Sequence, residues 1–130
     1  MTGIIIAAHG TLAQAALETV ELLSGEKEEV MCISFKPGDS LEVLVERFQA
    51  AINALGKKDV LILTDVRGGS PCNVATLMQK TRETVRTLYG FNVGMLLQVF
   101  EGRDNGHGLE TLVGEAVQAG QISIGQISLM

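Results

Sequence analysis

Two side chains suited to joint chemistry, His9 and Asp65, each follow a short apolar segment of the chain. His9 comes after Gly3–Ala8, and Asp65 comes after Val60–Thr64. An aspartate beside a histidine fixes which ring nitrogen carries the hydrogen and stabilises the imidazolium that forms later. The other ring nitrogen is then a nucleophile suited to accepting and releasing a phosphoryl group. The alternative is a histidine at a strand end that only hydrogen-bonds a nearby carbonyl group.

A glycine-rich segment follows Asp65 and leads into a helix. In Gly68-Gly69-Ser70-Pro71, we expect Ser70 to be the N-cap and Pro71 the first helical residue. The two glycines allow the backbone to approach a ligand closely, and a helix N-terminus favours an anion. Gly68, Gly69 and Ser70 are therefore candidates to bind a phosphoryl group. The alternative is that the segment only begins a helix.

Other reactive residue types are assigned simpler roles. Arg67 is a cation in the same loop that could face the phosphoryl group or a partner, and the alternative is a solvated loop arginine. Thr11 is a further candidate to face a partner. Cys72 is interpreted as a packing residue and His107 as a loop residue. The cysteines form no CxxC pair and no metal-like spacing, so we expect no metal site, no disulfide framework and no cofactor.

Composition narrows the class of protein. The chain has 130 residues, of which 46% are hydrophobic and 19% charged, which predicts a folded globular domain. The net charge of −5 argues against nucleic acid as a partner. The sequence has no apolar run of membrane-spanning length and no basic signal-peptide start, so we expect a cytoplasmic location.

Short apolar runs alternate with segments of helical periodicity. This alternation predicts an α/β fold, with an open, mostly parallel sheet covered by helices on both faces. Ligands of such sheets bind beyond the carboxyl ends of the strands, where His9 and Asp65 lie. The predicted strands are 3–8, 30–35, 60–64 and 84–89, and the predicted helices are 11–23, 39–55, one after 73, 92–101 and 109–119. Asp39, with Glu42 three residues later, is the predicted N-cap of the second helix.

The C-terminal segment has a different pattern. Residues 121–128 alternate polar and apolar side chains, which predicts a half-exposed edge strand. An exposed edge strand is a liability unless another strand pairs with it. Pairing with a second copy of the chain is one solution.

Four segments together resemble the IIA component of the mannose-type sugar phosphotransferase system. They are Ile4–Gly10, the turn Phe35-Lys36-Pro37-Gly38, Asp65-x-x-Gly68-Gly69-Ser70-Pro71-x-Asn73 and Gly90–Leu96. Their order and spacing agree along nearly the whole chain. Arg67 stands where relatives often carry an aromatic or apolar residue, and Gly94 stands where proline is common.

The resemblance implies a fold, a reaction and partners. Residues 1–130 would be a single IIA domain, and His9 would accept a phosphoryl group from the carrier HPr and pass it to a IIB protein. The IIC and IID membrane proteins would then transport the sugar and largely choose it. Asp65 would be the acidic partner of the histidine, and Ser70 the serine near the phosphoryl group. The protein would be a homodimer in which the last strand crosses to the partner's sheet.

Two further interpretations stay open from the residues. A flavodoxin-like module could hold a phosphate-bearing ligand without transferring it, and the phosphocarrier subunit of dihydroxyacetone kinase has a similar domain. A receiver domain is disfavoured because Ala8-His9 stands where an acidic, magnesium-binding pair is needed. A hydrolase is disfavoured because Ser70 is followed by Pro71 and forms no G-x-S-x-G elbow.

Overall fold

Strand and helix alternate along the chain as the sequence predicts. The computed structural model describes residues 1–129. The strands are β1 (Gly3–His9), β2 (Val30–Phe35), β3 (Val60–Thr64) and β4 (Val85–Leu88). The helices are α1 (Leu12–Ser24), α2 (Leu41–Leu55), α3 (Ser70–Thr81), α4 (Val93–Asp104) and α5 (Leu109–Ile122). Within residues 1–129, we find no helix with the length and hydropathy of a membrane span.

The strands form one parallel sheet in the order β2-β1-β3-β4, with helices on both faces. Ile4, Ile6 and Ala8 of β1 pack toward α1, α4 and α5, while Ile5 and Ala7 pack toward α2 and α3. A strand buried on both faces must be apolar throughout, which explains the continuous run in the sequence. The predicted α/β fold with a parallel sheet is confirmed.

The topology opens a crevice at the carboxyl end of β1. The chain leaves β1 to form β2 on one side, then crosses to form β3 on the other side. Helices that follow neighbouring strands therefore pass to opposite faces, and a crevice forms where the order reverses. His9 ends β1 and Asp65 follows β3, so both residues lie at this switch point.

Two predicted helix caps were wrong by one residue. The N-cap of α2 is Ser40, whose hydroxyl accepts a hydrogen bond from the Val43 N–H at 3.1 Å. Asp39 instead accepts from the Lys36 N–H at 2.8 Å and pairs with Arg47, so its carboxylate closes the preceding turn. The N-cap of α3 is Gly69 rather than Ser70, which is the first residue of the helix.

The predicted C-terminal strand is absent from the described chain. Helix α5 continues through Gln121 and Ile122, and residues 124–129 form neither helix nor strand. The Ser123 N–H still donates to Ala119 O at 3.1 Å, which extends the helical hydrogen bonding. Alternating side chains alone do not make a strand, because a strand also needs a hydrogen-bonded neighbour. Exchange of this segment between two copies is not tested by the structure of one chain.

A buried arginine joins the amino ends of β1 and β2 to α4. Arg103 is 5% exposed and donates to Thr2 O at 3.2 Å, to Glu29 O at 3.1 Å and to Glu28 O. Its guanidinium also lies 5.1 Å from the centroid of the Phe100 ring. Burial lowers the pKa of Arg103, with nearby carboxylates opposing the shift. At the end of the sheet opposite His9, one side chain thus links the segments before β1 and β2 to α4.

The end of α5 lies directly against the start of α4. A Cβ atom added at Gly94 would be 1.8 Å from Ser123 Oγ and 2.6 Å from Ser123 Cβ. Asn92, the N-cap of α4, accepts from the Met95 N–H and donates from its side-chain amide to Gly120 O at 2.9 Å. Rotation of Ser123 moves its hydroxyl but leaves its Cβ, so this contact requires glycine at position 94.

We predict that Gly94→Ala destabilises the protein by about 1–3 kcal/mol, because the new methyl group overlaps Ser123. The double variant Gly94→Ala/Ser123→Gly should recover most of that loss. Urea denaturation followed by circular dichroism measures the change in the free energy of unfolding.

The matched control is Gly114→Ala in α5, where an added Cβ meets nothing within 4 Å. This change should stabilise the protein by roughly 0.5–1 kcal/mol, since alanine is a better helix former than glycine. Equal effects of the two substitutions would contradict the close contact at Gly94.

Candidate functional site

The structure brings together the two side chains on which the sequence argument depends. His9 Nδ1 lies 2.8 Å from Asp65 Oδ2. The same oxygen accepts a hydrogen bond from the His9 main-chain N–H at 3.0 Å. Both contacts arise because β1 and β3 are neighbours and end at the same edge of the sheet. The aspartate therefore holds the histidine by its backbone and by its ring.

The carboxylate of Asp65 stays ionised although it is largely buried. Burial alone would raise the pKa of Asp65, but hydrogen bonds from the main chain and ring of His9, and from the main chain of Val66, lower it below its usual value. Asp65 Oδ1 is buried, and no hydrogen bond reaches it from the residues that the structure describes. Oδ2 is thus the oxygen that accepts both hydrogen bonds from His9.

An ionised acceptor at Nδ1 determines the form of the imidazole. A carboxylate can only accept a hydrogen bond, so we assign the hydrogen to His9 Nδ1, which leaves the lone pair on Nε2. The His9 side chain is 46% exposed. The ring of Phe35 contacts it edge-on, with centroids 6.0 Å apart. The free nitrogen therefore belongs to a ring that is oriented on one side and accessible to solvent.

The glycine-rich segment packs directly against the histidine ring. A Cβ atom added at Gly69 would be 2.7 Å from His9 Cε1 and 2.9 Å from Val66 Cγ1. Gly68 has a φ of +83°, a left-handed conformation that favours glycine. The turn is closed by a hydrogen bond from the Gly69 N–H to Val66 O at 3.1 Å. These glycines place the start of α3 beside the ring.

The start of α3 can receive an anion. The first N–H groups of a helix have no partner within the helix and carry partial positive charge. Ser70, the first residue of α3, is partly exposed, so its hydroxyl is available beside these groups. Asn73 steadies the loop, since its side-chain amide donates to Gly68 O at 3.1 Å. A nucleophile and an anion cradle thus adjoin each other.

Thr11 and Arg67, the candidates to face a partner, lie beside the pair. Thr11 is exposed at the start of α1, and its side chain makes no cap hydrogen bond. Arg67 is also exposed, and its guanidinium carbon lies 5.4 Å from the centroid of the Tyr89 ring. Leu12 and Val66 add exposed apolar surface next to them.

Sequence reasoning missed the aromatic residues at this end of the sheet. Phe35 is the last residue of β2 and contacts His9, and Tyr89 follows β4 and contacts Arg67. Both aromatic residues also stand at the carboxyl end of a strand. The rule that located His9 and Asp65, that such strand ends line the site, would therefore have located them too.

The remaining candidates lie away from the pair or are buried. Cys72 is buried in the first turn of α3, as its interpretation as a packing residue requires. His107 lies before α5, and its Nδ1 is 2.9 Å from Glu115 Oε1. Among residues 1–129, no group of three or more histidine, cysteine or acidic side chains is arranged to hold a metal ion.

Comparison with known proteins identifies the family. The family model of the EIIA-man proteins, described as "PTS system fructose IIA component", matches residues 3–117. The chain belongs to the mannose-type IIA family of sugar phosphotransferase components. The match covers every strand of the sheet and both members of the His9–Asp65 pair. The resemblance noted in the sequence is therefore confirmed.

Individual relatives agree with this family. The mannose-specific EIIAB component of Escherichia coli K12 is 38% identical over 119 residues, which are 91% of this chain and 37% of the relative. The chain thus spans just over a third of that relative's length. Two solved structures, an EIIA component from Streptococcus agalactiae and a mannose/sorbose-specific IIA subunit from Enterococcus faecalis, each have a TM-score of 0.90. They are 29% and 26% identical, and cover 97% and 99% of this chain and 97% and 96% of their own.

We predict that Gly69→Ala disturbs the His9–Asp65 pair, because the added methyl group overlaps the histidine ring. Ring ¹⁵N chemical shifts should show a smaller population of the Nδ1–H tautomer than in the parent protein. The protein should also lose about 1–3 kcal/mol of stability from the overlap.

Gly108→Ala is the matched control, because Gly108 is also a helix N-cap in an extended conformation. An added Cβ there meets nothing within 4 Å, so this variant changes only the capping residue. An unchanged tautomer population in Gly69→Ala would show that position 69 does not orient the ring.

Proposed function

We propose that this chain is a phosphocarrier of a mannose-type sugar phosphotransferase system. His9 accepts a phosphoryl group from phospho-HPr and passes it to a IIB protein, and the IIC and IID membrane proteins take up the sugar. The observation that carries the proposal is the hydrogen bond between His9 Nδ1 and the ionised Asp65, which leaves Nε2 of an exposed ring free. The proposal also comprises a cytoplasmic location and a single IIA domain over residues 1–130.

The transfer is a displacement at phosphorus between two nitrogen atoms. The lone pair of His9 Nε2 forms the new bond to phosphorus, while the bond from phosphorus to the donor nitrogen breaks and the donor keeps that electron pair. The hydrogen on Nδ1 stays in place, so the ring becomes positively charged. Asp65 stabilises this charge at 2.8 Å, and the reverse sequence releases the group to the next protein.

The phosphoryl oxygens need donors in place of water. The proposed cradle is formed by Gly68, Gly69 and Ser70, where backbone N–H groups and a hydroxyl stand at the start of α3. Positioning and fixed dipoles supply most of the catalysis in phosphoryl transfer, so no metal ion is required in this proposal. Thr11 and Arg67 flank the site, where they face HPr and the IIB protein in turn.

The other interpretations account for less of the site. A flavodoxin-like module that only holds a phosphate-bearing ligand needs the Gly68–Asn73 segment but has no use for an ionised carboxylate on the histidine. A phosphocarrier subunit of a dihydroxyacetone kinase would use the same chemistry. The family match and the sequence of the Gly68–Asn73 segment favour the sugar system.

We predict that His9→Ala is not phosphorylated and that Asp65→Asn is phosphorylated roughly 100-fold more slowly than the parent protein, because an amide does not enforce the required tautomer. Purified HPr, enzyme I and phosphoenolpyruvate are incubated with each variant. Intact-mass spectrometry, with and without acid treatment, measures one acid-labile phosphoryl group against time.

The second histidine–carboxylate pair supplies the controls. His107→Ala and Glu115→Gln remove the same groups at the pair between the α4–α5 loop and α5. Both variants should be phosphorylated at the parental rate. A phosphorylated His9→Ala protein, or a parent protein that gains no mass, would be inconsistent with the proposal.

The homodimer is a second part of the proposal. It is supported by exposed apolar side chains and an unpaired strand edge in the single chain. Ile124 and Ile127 are 77% and 83% exposed. No strand within residues 1–129 pairs with the outer edge of β4. An open apolar cavity lies beside that edge, lined by Leu88, Met95 and Val117 and on one side by this chain's own Ile124. A C-terminal segment from a second copy would supply both the missing strand and the missing contacts.

For the dimer, we predict that Ile124→Ser/Ile127→Ser shifts the protein toward the monomer, because the exchanged segment loses its apolar side chains. Light scattering coupled to size-exclusion chromatography measures the mass at several concentrations. Leu22→Ser, which removes another exposed apolar side chain at the end of α1, should leave the dimer intact. A parent protein that is monomeric at every concentration would rule out the dimer.

A further inference from the structure

Arg67 carries a positive charge that nothing in the described structure neutralises. Its side chain makes no ion pair with any carboxylate of residues 1–129, although the chain has a net charge of −5. Its guanidinium lies over the face of Tyr89, which is itself 53% exposed. An exposed cation–π contact is weak. It orients the guanidinium at rest and costs little free energy to break.

The turn that carries Arg67 also carries the residues that contact the reacting ring. Arg67 is two residues from Asp65 and two residues from Gly69, so its Cα lies at most about 7 Å from the Cα of each. Asp65 is bonded to His9, and Gly69 lies against His9 Cε1. The turn between them is closed by the bond from the Gly69 N–H to Val66 O. Arg67 is therefore presented by the same turn that holds the histidine.

The expected chemistry at His9 creates a need for positive charge. A phosphoryl group on Nε2 brings close to two negative charges to a site that already contains the ionised Asp65. The helix N-terminus supplies only about half of one positive charge. A guanidinium binds phosphoryl oxygens through two parallel N–H donors, and these charge-assisted bonds are stronger than an exposed contact with an aromatic ring.

The other nearby cation is less available. Lys36 directly follows β2, at the same end of the sheet. Lys36, like Arg67, forms no ion pair within residues 1–129, but its charge lies close enough to Asp39 to help lower the pKa of that carboxyl group. Arg67 lies instead against the ring of Tyr89. Of these two cations, Arg67 is therefore the one that is more available to bind a newly introduced negative charge.

On this basis, and resting on the function proposed above, we propose that Arg67 leaves the ring of Tyr89 and binds the phosphoryl oxygens at His9 during transfer. Arg67 neither gains nor loses a proton in this step. The bonds that form and break are therefore the two bonds to phosphorus described for the transfer itself. It donates N–H groups to oxygens that become more negative as the donor bond breaks. Tyr89 is the resting contact of the guanidinium when no phosphoryl group is present.

Charge and geometry can be separated with three variants. We expect Arg67→Gln to lower the single-turnover rate constant of His9 phosphorylation by about 10-fold to 100-fold at saturating phospho-HPr. Arg67→Lys should recover part of the rate, because it restores the charge without the bidentate geometry. Lys80→Gln, which removes one positive charge near the opposite end of α3, should match the parent protein.

A second measurement distinguishes a phosphoryl contact from simple docking of the protein partner. The ³¹P signal of the phosphorylated protein is followed against pH to obtain the phosphoryl pKa. A nearby guanidinium favours the dianion, so this phosphoryl pKa should be higher in Arg67→Gln than in the parent protein and in Lys80→Gln. A docking role would raise the half-saturating concentration of phospho-HPr and leave this pKa unchanged.

The outcomes fall into three groups. A slower rate constant together with a raised phosphoryl pKa in Arg67→Gln supports the inference. Parental values of both, or a change confined to the half-saturating concentration, overturn it while leaving the phosphocarrier function intact. A parent protein that does not accept a phosphoryl group on His9 removes the proposed function itself, and the inference with it.

Discussion

The central strand β1 has no face in contact with solvent, and this constraint organises the rest of the molecule. Its residues from Gly3 to Ala8 are all buried. Such a strand needs hydrogen-bonded neighbours on both edges and helices on both faces. The chain meets this requirement by placing β2 on one side of β1 and β3 on the other. The reversal of order that results is also what opens the crevice at His9.

Burial at the end of β1 and β3 also explains the electrostatics of the pair. Removing Asp65 from water disfavours its charge, and hydrogen bonds from the main chain and ring of His9 and from the main chain of Val66 restore it. These three donor groups belong to His9, which the sheet fixes, and to Val66, which lies in the turn after β3. The buried Oδ1 without a hydrogen-bond partner is a cost that the fold tolerates at this position.

The sequence was sufficient to predict the α/β fold, because continuous apolar runs identify buried strands. It also placed His9 and Asp65 at one edge of the sheet, but their contact required β1 and β3 to be neighbours, which the strand order of the structure supplies. The close approach of Gly69 to the His9 ring was beyond reach, since it depends on how the turn at Gly68 folds back. The choice of Ser40 over Asp39 as a cap was also hidden, because Arg47 competes for the aspartate. The C-terminal segment shows the limit of pattern alone, since alternation describes side chains and says nothing about a neighbouring strand.

Arg103 has a consequence for how this family can be compared across species. Its hydrogen bonds go to the main-chain carbonyl groups of Thr2, Glu28 and Glu29, which every amino acid carries. The hydrogen bonds from Arg103 therefore make no demand on the side chains at those three positions. Correlated substitution between Arg103 and these positions, the usual signature of residues that touch, should be absent even though the guanidinium joins three segments of the chain. A contact of this kind is visible in coordinates and leaves no trace in an alignment.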